Sequence, residues 1–466
     1  MMKLLEMGLA LALALLLAGC LFNLWSTAIR TAAAISGCLL LFIIHLTVDG
    51  FRIKSVMVYG MLTLIAIGFA IGRWTSNTKW GNEKRRRCLR IFAGTAGLVG
   101  LAISVFLPLY LFPAVQLPTP TGPYSIGVTE LGWTDGEREE QYTTDPADKR
   151  QVLAKAWYPA DVTDGEETAP YAFTADEIRL IEQGKPLLVR SLLSSFKEVQ
   201  THSFTEAPIT REQSAYPVIL LSPAYEASAF MYTSFAENLA SNGYIVIALE
   251  HPYFSIIPAL FPDGVQAVGK VQFSDEIDWE SDGQHMQVWV DDILFVLEQL
   301  KRQNEGDNGG LGSLTGKLDL NRVGMLGHSF GGAAAAQAMA ERPDLLAGVN
   351  MDGFPYGKEL TNGLPNPFLY IITSDTQRFI EGAGDFESYG FQSKEAYLEA
   401  AGELDKRVKG MLKNKGQQWV FQHAHHLSFS DTILYSPLFG DGGHSMLNKL
   451  NKGLLQFFNE NVKDRP

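Results

Sequence analysis

The 466-residue chain predicts an α/β domain, a mostly parallel central sheet with helices on both faces, preceded by about four transmembrane helices. Three observations predict it. Residues 1–112 carry four long apolar stretches. After residue 124, short continuous apolar runs alternate with helical patterns, as strands buried on both faces do. Between them, "NRVGMLGHSFGGAAAAQA" (321–338) drives an apolar strand through a glycine-flanked serine into a small-residue helix.

The apolar stretches are Leu4–Leu24, Thr31–Val48, Val56–Ile71 and Ile91–Phe112, each near the roughly 17–25 residues that span a bilayer. Buried core helices would not come four in succession almost without charge. The segment Arg73–Arg90 between the last two has seven basic residues against the single Glu83. The positive-inside rule places it in the cytoplasm, so the chain after about Pro113 is expected outside, at a cell membrane crossed several times. "LLAGC", ending at Cys20, has the look of a lipoprotein cleavage box. The apolar segment after it is not a polar tether, and Cys20 is expected to be an ordinary membrane residue. The expected domains are thus a transmembrane region (1–112), a proline-rich linker (113–123) that stiffens the exit, and a catalytic α/β domain (124–466).

Charge divides the same way. Residues 1–117 hold eleven Lys or Arg and three Asp or Glu, whereas the remainder holds 27 and 48, a balance of −21. That acidic half excludes a nucleic-acid footprint. All three cysteines (Cys20, Cys38, Cys88) lie in the first part, so the acidic part has no disulfide and no thiolate metal site.

Within the acidic part, alternation suggests strands at Ser125–Leu131 and Val152–Pro159. Continuous apolar runs add Tyr216–Pro223, Tyr244–Pro252, Arg322–Ser329, Leu346–Gly353, Pro367–Asp375 and Gln417–Ala424. Helical patterns separate them. Two insertions, Tyr253–Phe273 and Ala396–Asn414, suit either a lid or ordinary surface packing.

In such a sheet, Gly-x-Ser-x-Gly between strand and helix is a nucleophile elbow. Gly327 and Gly331 flank Ser329 because the turn crowds the backbone. The helix start offers N–H groups and a dipole to a developing oxyanion. A serine needs a histidine to take its proton and a carboxylate to orient that histidine. "FQHAHHLSFSD" follows the last strand and favours His425 or His426 over His444. Asp352 and Asp375 both end strands on the expected side, and the residues alone leave the choice between them open.

A resemblance narrows it. "TGPYSIGVTEL", "WYPA", "YIVIALEHP", "GHSFGGA", "MDGFPYG" and "HLSFSD", in this order from about Thr121 to Ser436, resemble the platelet-activating factor acetylhydrolases of the plasma type, serine esterases with the α/β-hydrolase fold. The resemblance implies Asp352 as the acid. It implies His426 as the base, opening a His-x-x-Phe-x-Asp motif with Phe429 and Asp431. It implies an oxyanion hole from the Phe330 N–H and an N–H of the loop after the "VILLS" strand. That loop departs from the family's His-Gly, reading Pro223-Ala224-Tyr225, and because proline has no N–H, Tyr225 is the expected second donor. The membrane helices are a second departure. The implied activity is hydrolysis of short or oxidised acyl esters, of phospholipids in particular, through an acyl-enzyme on Ser329, with no cofactor and no metal. The alternatives are a general carboxylesterase of the dienelactone-hydrolase kind and a non-catalytic membrane ligand sensor.

Overall fold

The computed structural model describes residues 3–464 apart from residues 23, 25–27, 75–82, 164, 184, 187–189, 191–192, 262–265, 268, 273–278, 280, 307–309 and 441. It divides into two compact units, Met1–Val115 with Glu182–Glu198 and Tyr435–Leu438, and the remainder.

The first unit contains helices α1 (Leu4–Leu21), α2 (Ala28–Val48), α3 (Val56–Trp74) and α4 (Glu83–Leu111). Among the described residues three helices are long and apolar enough to cross a membrane, Leu4–Leu21, Ile29–Val48 and Ile91–Leu111. The described apolar part of the third stretch, Ile53–Ile67, is shorter than that. The expected count of about four is therefore three by this measure. Of the basic Arg73–Arg90 segment expected as a loop, residues 75–82 lie outside the described residues and Glu83–Arg90 form the first turns of α4. Two buried polar pairs lie inside this unit. Ser55 donates to buried Glu6 at 2.7 Å, and Tyr59 meets His45 Nε2 at 2.6 Å.

The second unit is built on a ten-stranded sheet. Its strands are β1 (Ser125–Glu139), β2 (Lys149–Ala160), β3 (Thr168–Pro170), β4 (Gln200–Thr205), β5 (Tyr216–Ser222), β6 (Ile245–Glu250), β9 (Leu318–His328), β10 (Ala347–Met351), β11 (Phe368–Thr373) and β12 (Gly416–Phe421). A two-stranded ribbon, β7 (Ala259–Leu260) with β8 (Gln266–Ala267), stands apart. The order is β12-β11-β10-β9-β5-β6-β2-β1-β4-β3. From β12 to β6 every neighbour is parallel, and β2 joins β6 antiparallel. This is the mostly parallel sheet expected from the apolar runs. All of Tyr216–Ser222 is buried, as is all of Phe368–Thr373.

Helices α5 (Ala175–Ile181), α6 (Thr233–Ser241), α7 (Ser281–Asn304), α8 (Phe330–Glu341), α9 (Ser374–Ile380), α10 (Lys394–Leu412) and α11 (Gly443–Phe458) accompany the sheet. Helix α8 buries Phe330 to Met339 without a break, which its glycines and alanines permit by letting the backbone approach the sheet. Helix α10 occupies the second insertion. It buries Tyr397, Ala401, Leu404, Val408 and Met411 in the main core, at the three-to-four-residue spacing of one helix face. It is a core crossover between β11 and β12, not a lid.

One buried ionic network ties the antiparallel strands to the parallel ones. Arg150 on β2 donates from Nε and Nη2 to Asp292 on α7 at 3.0 and 2.6 Å, and from Nη1 to Glu140 and the Pro252 carbonyl. Burial alone would raise the Asp292 carboxyl. The Arg150 guanidinium and the His251 ring instead hold it well below the usual carboxylate range. A depressed carboxyl contributes stability that is complete above its unfolded pKa, about 4, and is lost as pH falls below it. Asp292→Ala should leave the buried Arg150 guanidinium with Glu140 as its one remaining carboxylate partner among the described residues and cost about 3–5 kcal/mol. Urea unfolding followed by tryptophan fluorescence at pH 7 checks this, and a loss below about 1 kcal/mol would show that the pair does not hold the strands.

Candidate active site

Ser329 sits at φ 53° and ψ −124°, between the last residue of β9 and the first turn of α8. The positive φ costs a non-glycine residue on the order of 1–3 kcal/mol and is sustained by its surroundings. A Cβ on Gly327 would stand 2.1 Å from the Gly331 carbonyl oxygen, and one on Gly331 would stand 2.1 Å from that of Pro223. Glycine is forced at both places. The Ser329 N–H donates to Met351 O at 2.8 Å, fastening the elbow to β10.

Asp352 follows β10 and also has positive φ, 58°. Its N–H donates to Ile371 O at 2.7 Å, and its Oδ1 accepts from Thr373 N–H at 3.0 Å. It is buried, with Oδ2 2.8 Å from His426 Nδ1. His426 Nε2 lies 2.9 Å from Ser329 Oγ. The hydroxyl, the ring and the carboxylate thus form one hydrogen-bonded series, with the His426 side chain 47% exposed and open to a reactant. Of the two carboxylates the residues left open, Asp352 is the one beside the ring. Asp375 lies exposed in the first turn of α9, where its carbonyl accepts from the Tyr389 hydroxyl at 3.0 Å. His425 is exposed and caps a 3-10 turn, and His444 is exposed at the start of α11.

His328 and Tyr232 were not singled out by sequence reasoning. His328 is buried, its pKa lowered well below the ordinary value by burial and by the neighbouring His426, so it is neutral. Its Nε2 is 3.0 Å from the His426 carbonyl, which can only accept, so Nε2 carries the proton. Nδ1 then accepts from the Tyr232 hydroxyl at 2.8 Å, and that hydroxyl accepts from the Ala224 N–H at 2.9 Å. One directed chain links the loop after β5 to the backbone of the base. With Ala224 N–H engaged, Tyr225 supplies the loop's next N–H. The Tyr225 ring is held by its hydroxyl, which donates to Val271 O at 2.8 Å. Asp431 anchors the base loop from the other side. It accepts from the Ser234 hydroxyl and N–H at the start of α6, and from Tyr171 at 3.2 Å, while burial pushes its carboxyl up to about 7.

The second unit holds another Ser-His-Asp series. Ser222 Oγ is 3.0 Å from His251 Nε2, and His251 Nδ1 is 3.0 Å from Asp292 Oδ2. All three are buried, and His251 stacks on Trp289 at 3.8 Å. Nothing can reach that hydroxyl, so it serves the fold. Among the described residues no cluster of His, Cys, Asp and Glu could hold a metal.

The family model of platelet-activating factor acetylhydrolase, isoform II, matches residues 109–402. The chain belongs to this family. The family consists of carboxylic ester hydrolases acting through a serine nucleophile. The chain is 27% identical over 290 residues to a probable 1-alkyl-2-acetylglycerophosphocholine esterase of the fungus Arthroderma benhamiae, covering 58% of this chain and 68% of the relative. It is 24% identical over 280 residues to platelet-activating factor acetylhydrolase of Cavia porcellus, covering 56% of this chain and 61% of the relative. A ferulic acid esterase structure from Streptomyces cinnamoneus superposes with a TM-score of 0.56 at 23% identity, over 76% of this chain and 94% of that one. That likeness shows the fold, an α/β hydrolase. Ser329 and Asp352 fall inside the family match; His426 lies beyond its end.

Replacement of the acid separates the two carboxylates. Asp352→Asn should lower turnover of an ester by about 10⁴, since the triad acid fixes the imidazole tautomer, while Asp375→Asn keeps most activity. Steady-state hydrolysis of p-nitrophenyl acetate by both variants is the measurement, and the reverse order would remove Asp352 from the site.

Proposed function

We propose that the chain is a membrane-anchored serine esterase that hydrolyses short or oxidised acyl esters of phospholipids. The observation that carries the reading is the exposed Ser329–His426–Asp352 series on the strained elbow. The names of the fungal and mammalian relatives support the substrate class.

Ser329 Oγ attacks the ester carbonyl while His426 Nε2 takes its proton, and Asp352 steadies the imidazolium through Nδ1–H. The carbonyl oxygen becomes an oxyanion received by the N–H groups of Phe330 and Tyr225. Collapse expels the alcohol, protonated by His426. The ring then activates a water that frees the acid and restores the serine. No step draws on a metal or cofactor. The catalytic unit lies outside the cytoplasm of a cell membrane, anchored by the N-terminal apolar helices, because the basic Arg73–Arg90 loop favours the cytoplasmic side.

In detergent, the full chain should cleave phosphatidylcholines with short sn-2 chains and slow as the chain lengthens. Ser329→Ala should lower that rate on the order of 10⁶-fold, and a variant within tenfold of the wild type would end the reading. For topology, a reporter fused after Pro466 should respond only outside the cytoplasm and one in the Arg73–Arg90 loop only inside. The opposite pattern reverses the orientation.

A further inference from the structure

The loop after β5 and the loop that carries His426 are both fastened to the first residues of α6 and the residue before it, Tyr232. We infer that Tyr232 is a positioning residue of the reaction, acting with His328 to hold the oxyanion donor and the base in one fixed relation. The inference rests on the proposed esterase activity. It goes beyond that reading by giving a part in the reaction to two side chains that do not touch the reacting atoms.

The backbone of the loop after β5 is committed group by group. Pro223 has no N–H to donate. Ala224 N–H donates to the Tyr232 hydroxyl at 2.9 Å, Glu226 N–H to Phe254 O at 2.9 Å and Ala227 N–H to Ala224 O at 3.1 Å. The last of these bonds fixes the peptide plane between Ala224 and Tyr225. In a trans peptide the N–H points opposite to the C=O, so the Tyr225 N–H is turned away from Ala227. Glu226 holds φ 65°, a strained conformation that its bond to Phe254 O sustains. The direction of the Tyr225 N–H is therefore set by its neighbours on both sides. Of the three acceptors that set it, the Tyr232 hydroxyl is the one side chain, and so the one that a substitution removes.

The same hydroxyl reaches the base. Because the Ala224 N–H occupies one of its lone pairs, its own proton is directed to His328 Nδ1 at 2.8 Å. That leaves the imidazole proton on Nε2, 3.0 Å from the His426 carbonyl. The other tautomer would set two acceptors against each other there. Burial raises the Tyr232 pKa, so the hydroxyl keeps the proton it donates. Both side chains are buried, where an unmade hydrogen bond costs most. Two residues after Tyr232, the Ser234 N–H and hydroxyl donate to Asp431 of the base loop. The start of α6 thus holds the base loop at two points, through His328 at His426 and through Ser234 at Asp431. It holds the oxyanion loop at a third, Ala224, and one hydroxyl serves the first and the third together.

The test follows p-nitrophenyl acetate hydrolysis by the full chain in detergent, with thermal unfolding confirming that each variant compared is folded. Tyr232→Phe keeps the ring and removes only the hydroxyl. It should lower kcat by about 10²-fold, as loss of one oxyanion donor does, with KM nearly unchanged. His328→Phe should do the same. His328→Gln, whose amide can donate to the His426 carbonyl and accept from Tyr232, should recover most of that loss. Because one line of bonds is cut in either case, the two phenylalanine substitutions together should cost little more than the worse of them alone. Losses that multiply, a loss confined to KM, or a glutamine variant no better than the phenylalanine one overturn the inference. So does a Tyr232→Phe chain with wild-type kcat. Nitrogen-15 NMR of the histidine-labelled wild-type chain tests the line without turnover or substitution. His328 should carry its proton on Nε2, and a proton on Nδ1 overturns the inference. A wild-type chain that cleaves no ester refutes the proposed activity, and the spectrum still decides the line.

Discussion

Everything at the candidate site depends on how closely the backbone can approach itself around Ser329. A Cβ on Gly353 would sit 1.9 Å from the Ser329 carbonyl oxygen, and one on Gly332 would sit 2.1 Å from Asn350 Oδ1. These contacts, with those of Gly327 and Gly331, press the ends of β9 and β10 and the start of α8 into one small volume. Two adjacent strand ends then carry positive φ, at Ser329 and at Asp352. Each strained residue is fastened by its own N–H to the next strand, Ser329 to Met351 and Asp352 to Ile371. Sheet register therefore sets the spacing of nucleophile and acid, and a rigid sheet holds such a spacing better than loops do.

The base has no strand to hold it. His426 comes from a loop after β12, and its position is set by two buried groups of opposite character. Asp431 pins the loop to the first turn of α6, and neutral His328 donates to the His426 carbonyl. Because His328 must accept from Tyr232 on its other nitrogen, the loop after β5 and the loop after β12 share one line of hydrogen bonds. The residue between Gly327 and Ser329 is thus more than a spacer. It couples the candidate oxyanion loop to the base loop beneath the nucleophile.

Much of this was legible in the residues. Long apolar runs gave the parallel strands, and the glycines around Ser329 gave the elbow. What was not legible has physical causes. The strand β1 continues to Glu139 through polar residues because its long antiparallel pairing with β2 supports it there. The strands β3 and β4 are too short and too polar for alternation to reveal. Helix α10 read equally well as a lid, although its apolar spacing matches one buried face. The choice between Asp352 and Asp375 was open because both follow apolar strands. Only the turn of the backbone after each, inward at Asp352 and into a helix at Asp375, distinguishes them, and the family resemblance supplied that choice beforehand.

The buried Ser222–His251–Asp292 series bears on how such a site is recognised at all. Its distances, 3.0 and 3.0 Å, match those of the series at Ser329, 2.9 and 2.8 Å, to within about 0.2 Å. Distances among three residue types therefore do not separate a reactive site from a structural one. Surroundings do. Asp292 is held by Arg150, so its charge is already compensated and has little left to stabilise an imidazolium at His251. Burial lowers the pKa of that ring, and Trp289 covers its face. Asp352 has among its described side-chain partners only the Thr373 N–H besides His426, and His426 faces solvent. Ser222 also ends an ordinary strand, with no backbone strain lifting its hydroxyl. Accessible imidazole, an acid committed to it and a serine raised by positive φ are the three conditions that, of the two series, the one at Ser329 meets.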